Sequence, residues 1–330
     1  MSARELLGLL ADGGVHSGEK LAAQLQVSRT AVWKTIERLR QQGIGVNAQA
    51  REGYSLAAPV ELLDAGRIET EISGDRRGLL TRLELHFEVK STNTALFDGA
   101  HPAPGAACVC MTELQTEGRG RRGRPWFNAF GEGLALSMSW SFGDTPKGLS
   151  ALSLAVGVGV ARALRRLGAM GIALKWPNDI WFRDKKIGGV LIEMRSEAGG
   201  PAFVVIGVGL NIRPSRAVLR LIQSSGVAAT GLVDACDTEP SRNAVAGAII
   251  DELLGVLRQF AAQGFAPFRD EWLGLDALQQ RPVSLLLGAE TFTGTAGGID
   301  EDGGLLLNMA GSVRKFVAGE ASLRLQAQNA

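Results

Sequence analysis

A chain of 330 residues is longer than one small core needs and points to two or three domains. With 45% hydrophobic and 21% charged residues and a formal net charge of +1, it is neither a disordered nor a collagen-like polymer, and its charge as a whole selects no class of partner. Three cysteines, three histidines and no unbroken apolar run of ~20 residues argue against a disulfide framework, a zinc centre and a membrane span.

The first five residues carry an acid and lead to no cleavage site of small residues, so no signal peptide is expected and the compartment is read as cytoplasmic. Cys108 and Cys110, two apart in an apolar run, would share one face of a strand as buried, inert thiols, and Cys236 stands apart.

Leu6, Leu7, Leu9 and Leu10 make a first helical stripe, ended by Asp12-Gly13-Gly14. Ser17 caps a second helix bearing Leu21, Ala22 and Leu25. After the short turn Gln26-Val27, Ser28 caps a third, with Val32, Ile36 and Leu39 inward and Gly43 as its stop. Two short helices joined so tightly are a helix-turn-helix plan, and Val46 to Leu56, turning at Arg51-Glu52-Gly53, fits a hairpin wing. Residues 1–58 hold seven Lys/Arg against five acids, and five of the bases lie between Arg29 and Arg51. The candidate DNA-reading face is Ser28, Arg29, Thr30, Trp33 and Lys34, with Glu37 beyond them. A helical packing module with a solvated face has the same pattern, and Trp33 also suits packing against the first helix.

Beyond Ala57-Ala58-Pro59, strands are expected at Arg82–Val89, Ala106–Thr112, Leu134–Phe142, Ile187–Met194 and Ala202–Ile212, and long helices at Gly148–Leu167 and Arg242–Gln263. Several strands follow one another directly, which predicts α+β with a mixed or largely antiparallel sheet. Four polar clusters punctuate this body. Ser91-Thr92-Asn93 stands where a strand yields to a helix, and can either cap that helix or grip a compact polar head group.

Gly118 to Trp126 interleaves glycine with Arg119, Arg121, Arg122 and Arg124, forks suited to carboxylate and phosphate in a loop able to close over a ligand. A basic nucleic-acid loop is the competing reading. The match of Gly118, Gly120 and Gly123 to a dinucleotide fingerprint is rejected, because Pro125 forbids the helix that must follow. Lys175-Trp176-Pro177-Asn178-Asp179 turns between two strands and leads to Lys186-Ile187-Gly188-Gly189. Here Asp179 suits hydrated magnesium, Asn178 a phosphate or ribose oxygen, and Lys186 a reacting carboxylate; a plain hairpin with exposed lysines fits equally. In Gly207-Val208-Gly209-Leu210-Asn211 glycines permit close backbone approach, with Asn211 at the polar end. No Walker lysine, nucleophile elbow or paired catalytic carboxylates occur, so the set suits activation of a carboxylate by ATP through positioning and charge neutralisation.

In this order and spacing the runs resemble the bacterial bifunctional biotin–protein ligase and biotin-operon repressor family, the BirA type. The likeness extends to the wing Arg51-Glu52-Gly53-Tyr54-Ser55-Leu56 and to a C-terminal stretch, Arg281 to Leu325, similar to the family's SH3-like barrel. It implies three domains: a winged helix-turn-helix over 1–60, a class II synthetase-like mixed-sheet ligase domain binding biotin and ATP over 61–279, and an SH3-like β-barrel over 280–330. It implies that Ser91, Thr92, Asn93 and Gln115 bind biotin, that Arg119, Gly120 and Arg121 close over biotin and its adenylate, and that Lys186 meets the biotin carboxylate. It assigns Arg124, Trp126, Lys175, Asn178 and Asn211 to ATP, Asp179 to magnesium, and catalysis to Arg121, Lys186 and Asp179. Implied partners are the biotin carboxyl-carrier protein of a carboxylase, operator DNA and a second copy of the chain in the adenylate-bound state, with no membrane. A non-catalytic biotin-sensing transcription factor and a lipoate–protein ligase are the competing functions. Residues 213–238 match no functional segment.

Overall fold

The computed structural model describes residues 2–196, 201–288, 290–317 and 321–325. The chain opens with α1 (Ala3–Leu10), α2 (Gly18–Gln24) and α3 (Arg29–Gln41), each started by a serine (Ser2, Ser17, Ser28) whose hydroxyl accepts a first-turn amide. Strands β1 (Val46–Gln49) and β2 (Gly53–Leu56) form the expected hairpin. Its second strand also pairs with His16, through Tyr54 N to His16 O and His16 N to Tyr54 O, both 2.9 Å. That contact requires glycine at 53: its φ is +139°, and a Cβ there would lie 2.0 Å from His16 O. The three helical stripes and the hairpin close a core of their own around Leu6, Leu10, Leu21, Val32, Ile36 and Leu39.

After α4 (Ala65–Thr70) and α5 (Gly74–Arg77) come β3 (Leu80–Val89), α6 (Thr92–Phe97), β4 (Ala107–Gln115), β5 (Gly133–Phe142), α7 (Leu152–Arg166), β6 (Ile172–Lys175), β7 (Asp179–Phe182), β8 (Lys185–Ser196) and β9 (Ala202–Asn211). The seven strands order as β3-β4-β5-β9-β8-β7-β6. Only the β3–β4 ladder is parallel, so the expected mixed, largely antiparallel sheet is what forms. Alternation along the strands sorts the faces. Leu136, Met138, Val204 and Ile206 face the main core with α7 and α9 (Arg242–Gln263), whereas Cys108, Cys110 and Val205 pack with Leu96 on the α6 side.

Where the chain enters this body, Arg242 is 4% exposed and lies 2.9 Å from the buried Glu113 carboxylate. Its guanidinium also donates to the Glu61 and Gly133 carbonyls at 2.6 and 3.0 Å. Glu113 in turn accepts the Leu63 amide through Oε1 at 2.6 Å, so the two buried charges form an ion pair and each is also hydrogen-bonded to the backbone.

Helices α8 (Arg216–Ser224) and α10 (Ala266–Leu275) complete the helical set. Strands β10 (Pro282–Leu287), β11 (Glu290–Ile299), β12 (Leu305–Met309), β13 (Ser312–Phe316) and β14 (Ala321–Leu325) form an antiparallel sheet ordered β13-β12-β11-β10-β14. Among the described residues no ladder joins β13 to β14, so the expected barrel is present as a five-stranded sheet; within the stretch Arg281 to Leu325, residues 289 and 318–320 lie outside the described residues. Val283, Leu285, Ile299 and Leu307 of this sheet belong to the same buried cluster as α7 and α9. Trp176, 1% exposed, donates its indole N–H to the Gly303 carbonyl at 3.0 Å across that junction. No helix among the described residues is long and apolar enough to cross a membrane.

Candidate active site

Every ligand-site residue expected from the sequence in the central body lines one cavity of 620 Å³, within the size range of small-molecule sites. At one end is the turn from β3 into α6. Ser91 is indeed the helix cap, its Oγ accepting from Thr94 N at 3.4 Å. Its neighbours are not needed for capping. Thr92 donates to Gln115 Oε1 through N at 2.9 Å and Oγ1 at 3.1 Å. Ser137, wholly buried on β5, lies 2.7 Å from Thr92 Oγ1 and 2.6 Å from Asn93 Oδ1. Its single proton serves one of them at a time. Asn93 Nδ2 donates to Glu193 Oε2 at 2.8 Å. Glycine at 207 makes room for Asn93: a Cβ there would lie 2.4 Å from Asn93 Oδ1. The side chains of Ser91, Thr92, Asn93 and Gln115 make this end uncharged in its own lining groups and dense in hydrogen-bonding atoms, with the Glu193 carboxylate behind Asn93.

The arginine loop arches over the middle. It holds one short 3₁₀ turn, Arg121–Gly123, with Arg122 at φ 58°, and is tied at its base by Trp126 N to Gly118 O at 2.9 Å. With no helix after the glycines, the dinucleotide reading is excluded by geometry as well as by Pro125. The arginines diverge. Arg119 donates to Thr94 Oγ1 at 2.8 Å, toward the amide-rich end, and Arg121 to Asn178 Oδ1 at 3.3 Å, toward the other. Burial pulls the Arg121 guanidinium below its ordinary pKa and Arg122 adds repulsion, while Asp179 opposes both. An anion there would relieve a cost the free loop carries.

At the far end β6 and β7 form a hairpin with Lys175 opposite Asp179. Lys186 Nζ sits 2.5 Å from Asp179 Oδ1 and 5.8 Å from the centre of the Trp126 ring. The Trp126 ring approaches β9 closely because position 209 is glycine; a Cβ there would be 2.4 Å from its Cε2. Lys175 Nζ stands 4.5 Å over the Trp181 ring. Asn211 is buried and donates to Thr230 O at 3.4 Å.

Several groups in the lining or directly behind it carried no signal in the sequence. Ser137 is a hydroxyl inside an apolar run. Residues 225–229 of the unassigned stretch form a cavity wall, held by Lys186 N to Ala228 O at 2.9 Å and Thr230 N to Lys186 O at 3.0 Å. Main-chain pairing with Lys186 places them there, which no side-chain pattern advertises.

Outside the cavity, Ser28, Arg29, Thr30, Trp33 and Lys34 are all exposed on α3. Trp33 is 51% exposed, so it does not pack against the first helix. Arg29 pairs with Glu19 at 3.0 Å, and Glu37 turns to Arg40 at 2.7 Å. Glu84, His86 and Cys110 come within 4.8 Å of one another across β3 and β4, a grouping invisible in the sequence. Arg82 already lies 3.0 Å from Glu84, and burial pushes the Cys110 thiol up to about 12, both unfavourable to a metal.

Three family models match in succession: an HTH domain over residues 3–55, the Biotin/lipoate A/B protein ligase family over 86–211, and the Biotin protein ligase C terminal domain over 281–324. The bifunctional ligase/repressor BirA of Salmonella typhimurium is 38% identical over 97% of this chain and 96% of its own. That of Bacillus subtilis is 29% identical over 97% and 98%. Among solved structures, the biotin protein ligase of Aquifex aeolicus in complex with biotin and ATP matches with a TM-score of 0.62 and 27% identity, over 74% of this chain and 100% of that one.

Proposed function

The chain belongs to the bifunctional ligase/repressor family of biotin–protein ligases, and on that premise we propose how its residues divide the work. It is an ATP-dependent biotin–protein ligase carrying an N-terminal helix-turn-helix repressor domain. In the first step a biotin carboxylate oxygen attacks the α-phosphorus of ATP, the bond to the β-phosphate bridge breaks, and pyrophosphate leaves. In the second a lysine amine of a carboxylase's biotin carboxyl-carrier protein attacks the mixed-anhydride carbonyl. AMP departs and the amine proton passes to solvent.

The observation that carries this reading is the polarity of the cavity in which these residues meet. Its amide- and hydroxyl-rich end matches the ureido head of biotin, and its lysine- and arginine-lined end matches a triphosphate. Ser91, Thr92, Asn93 and Gln115 hold the head. Arg119 and Gly120 belong to the cover, while Arg121 and Lys186 hold the carboxylate against the α-phosphate and neutralise charge as it develops. Arg124, Trp126, Lys175, Asn178 and Asn211 serve the adenosine and phosphates. Asp179, whose carboxylate already meets a cation in the Lys186 ammonium, would hold a magnesium ion, which would offset phosphate charge. A loop closed over the adenylate keeps water from the anhydride.

The exposed face of α3 would enter the major groove of operator DNA, with two adenylate-bound copies reading a palindrome in the cytoplasm. We assign 1–60, 61–279 and 280–330 to these three functional parts. The test is incubation with ATP, magnesium, biotin and a carboxyl-carrier domain, read by intact mass, beside biotin-dependent exchange of pyrophosphate into ATP. Exchange with lipoate alone would make it a lipoate ligase. Biotin binding without exchange would make it a sensor.

A further inference from the structure

Glu193, on β8, does not line the cavity, yet its carboxylate holds two groups that do. Oε2 accepts from Asn93 Nδ2 at 2.8 Å, and Oε1 lies 3.5 Å from Arg119 Nη2. The same Arg119 nitrogen donates to Thr94 Oγ1 at 2.8 Å, so the arginine is pinned between α6 and β8. We propose that Glu193 is a positioning residue that latches the arginine loop shut and sets the orientation of the biotin-binding amide. The proposal rests on the reading of that loop as the cover over biotin.

Two features support it. A carboxylate only accepts hydrogen bonds, so Glu193 forces Nδ2 of Asn93 toward β8 and leaves Oδ1 to Ser137 at 2.6 Å. The amide's direction is therefore fixed before biotin arrives, and preorganisation of this kind favours affinity. The second feature is reach. The loop's other ties among its backbone groups are local, Gly120 N to Arg124 O at 2.7 Å and Trp126 N to Gly118 O at 2.9 Å. These shape the loop without attaching it to the body; of its side chains, Arg121 reaches Asn178 Oδ1 at 3.3 Å on the phosphate side, and Arg119 makes the tie on the biotin side. Arg119 spans from the loop to β8, and the Glu193 side chain, 33% exposed, is reachable by water and so can release it. A half-exposed pair is weak enough to open each turnover and strong enough to bias closure.

The experiment compares the full-length protein with Glu193→Gln and Glu193→Asp. Glutamine retains one acceptor but loses the charge opposite Arg119; aspartate retains the charge on a shorter arm. Three readouts apply: trypsin cleavage at the loop arginines with and without biotin and ATP, KM for biotin against kcat in pyrophosphate exchange, and labelling of bystander lysines by escaping adenylate. For Glu193→Gln we expect loss of most of the ligand-induced protection, a KM for biotin raised by about 3- to 10-fold with a smaller change in kcat, and increased bystander labelling. Glu193→Asp should recover part of each. If the wild-type loop is protected by biotin and ATP and Glu193→Gln is protected equally, with unchanged KM, the latch is wrong. If the wild-type loop gains no protection, the reading of the loop as a cover fails instead, and the latch falls with it.

Discussion

Two alanine substitutions on one strand face should separate the two substrates. Gly207 and Gly209 are both on β9, two residues apart, and point the same way. A methyl at 207 would sit 2.4 Å from Asn93 Oδ1, and a methyl at 209 would sit 2.4 Å from Trp126 Cε2. Strand β9 cannot yield, because Gly207 is registered against Ser137 on one side and Leu191 on the other. Asn93 must therefore move, giving up a neutral hydrogen bond with Ser137 and a charge-assisted one with Glu193, together ~2–4 kcal/mol. On that basis Gly207→Ala weakens biotin binding by about 30- to 1000-fold. Trp126 belongs to a loop and its ring can slide outward, losing packing and a cation–π contact of ~0.5–1 kcal/mol. Gly209→Ala should then raise KM for ATP by only about 2- to 10-fold and leave biotin affinity near wild type. Titration calorimetry with biotin and exchange kinetics at varied ATP measure both. Equal effects of the two variants on biotin, or a Gly207→Ala change confined to ATP, would refute the division of the cavity.

Lys186→Ala should slow biotin-dependent exchange by about 100-fold, the usual scale for losing a charge-stabilising donor; unchanged exchange removes it from the reacting centre. Trp33→Ala, altering an exposed side chain, should weaken operator binding in a mobility-shift assay while pyrophosphate exchange stays as it was. Asp276 gives a pH prediction. Burial raises its carboxyl from 3.8 to about 6, and its buried Oδ2 has no hydrogen-bond partner, while Oδ1 accepts Leu278 N at 2.9 Å. The folded state therefore holds this proton more tightly than the unfolded state, and the group's contribution declines as pH rises from about 4 through about 6. Asp276→Asn should raise the melting temperature at pH 7.5, worth ~1–3 kcal/mol, with little change at pH 4. A variant that melts with the wild type at both pH values would contradict this.

Much of this was legible in one sequence for identifiable reasons. Serine caps and leucine spacing marked the first three helices because capping and amphipathic burial are local rules. The cavity residues were legible because arginine, lysine and amide groups rarely cluster without an anion or a head group to meet. What stayed hidden depends on pairing across the fold. Ser137 looks like any strand serine until β5 is laid under α6. Glu193 alternates with apolar neighbours as a solvent-facing residue would. Residues 225–229 act through main-chain placement. Arg242 and Glu113 meet only because α9 returns to the sheet, and Trp33 needed its neighbours in space to show that it faces solvent.

The core divides unevenly among the three parts, and that has a consequence for how such proteins can be rearranged. The first sixty residues enclose an apolar cluster of their own, and Leu62, Phe87 and Phe130 are the hydrophobic side chains from beyond them that pack against it. The last strands have no such independence. Val283, Leu285, Ile299 and Leu307 complete the cluster that α7 and α9 begin, and Trp176 reaches across to Gly303. Shortening the chain at that end would leave a greasy, unpaired wound beneath the turn that carries Asn178 and Asp179. Modularity here is a property of one terminus only.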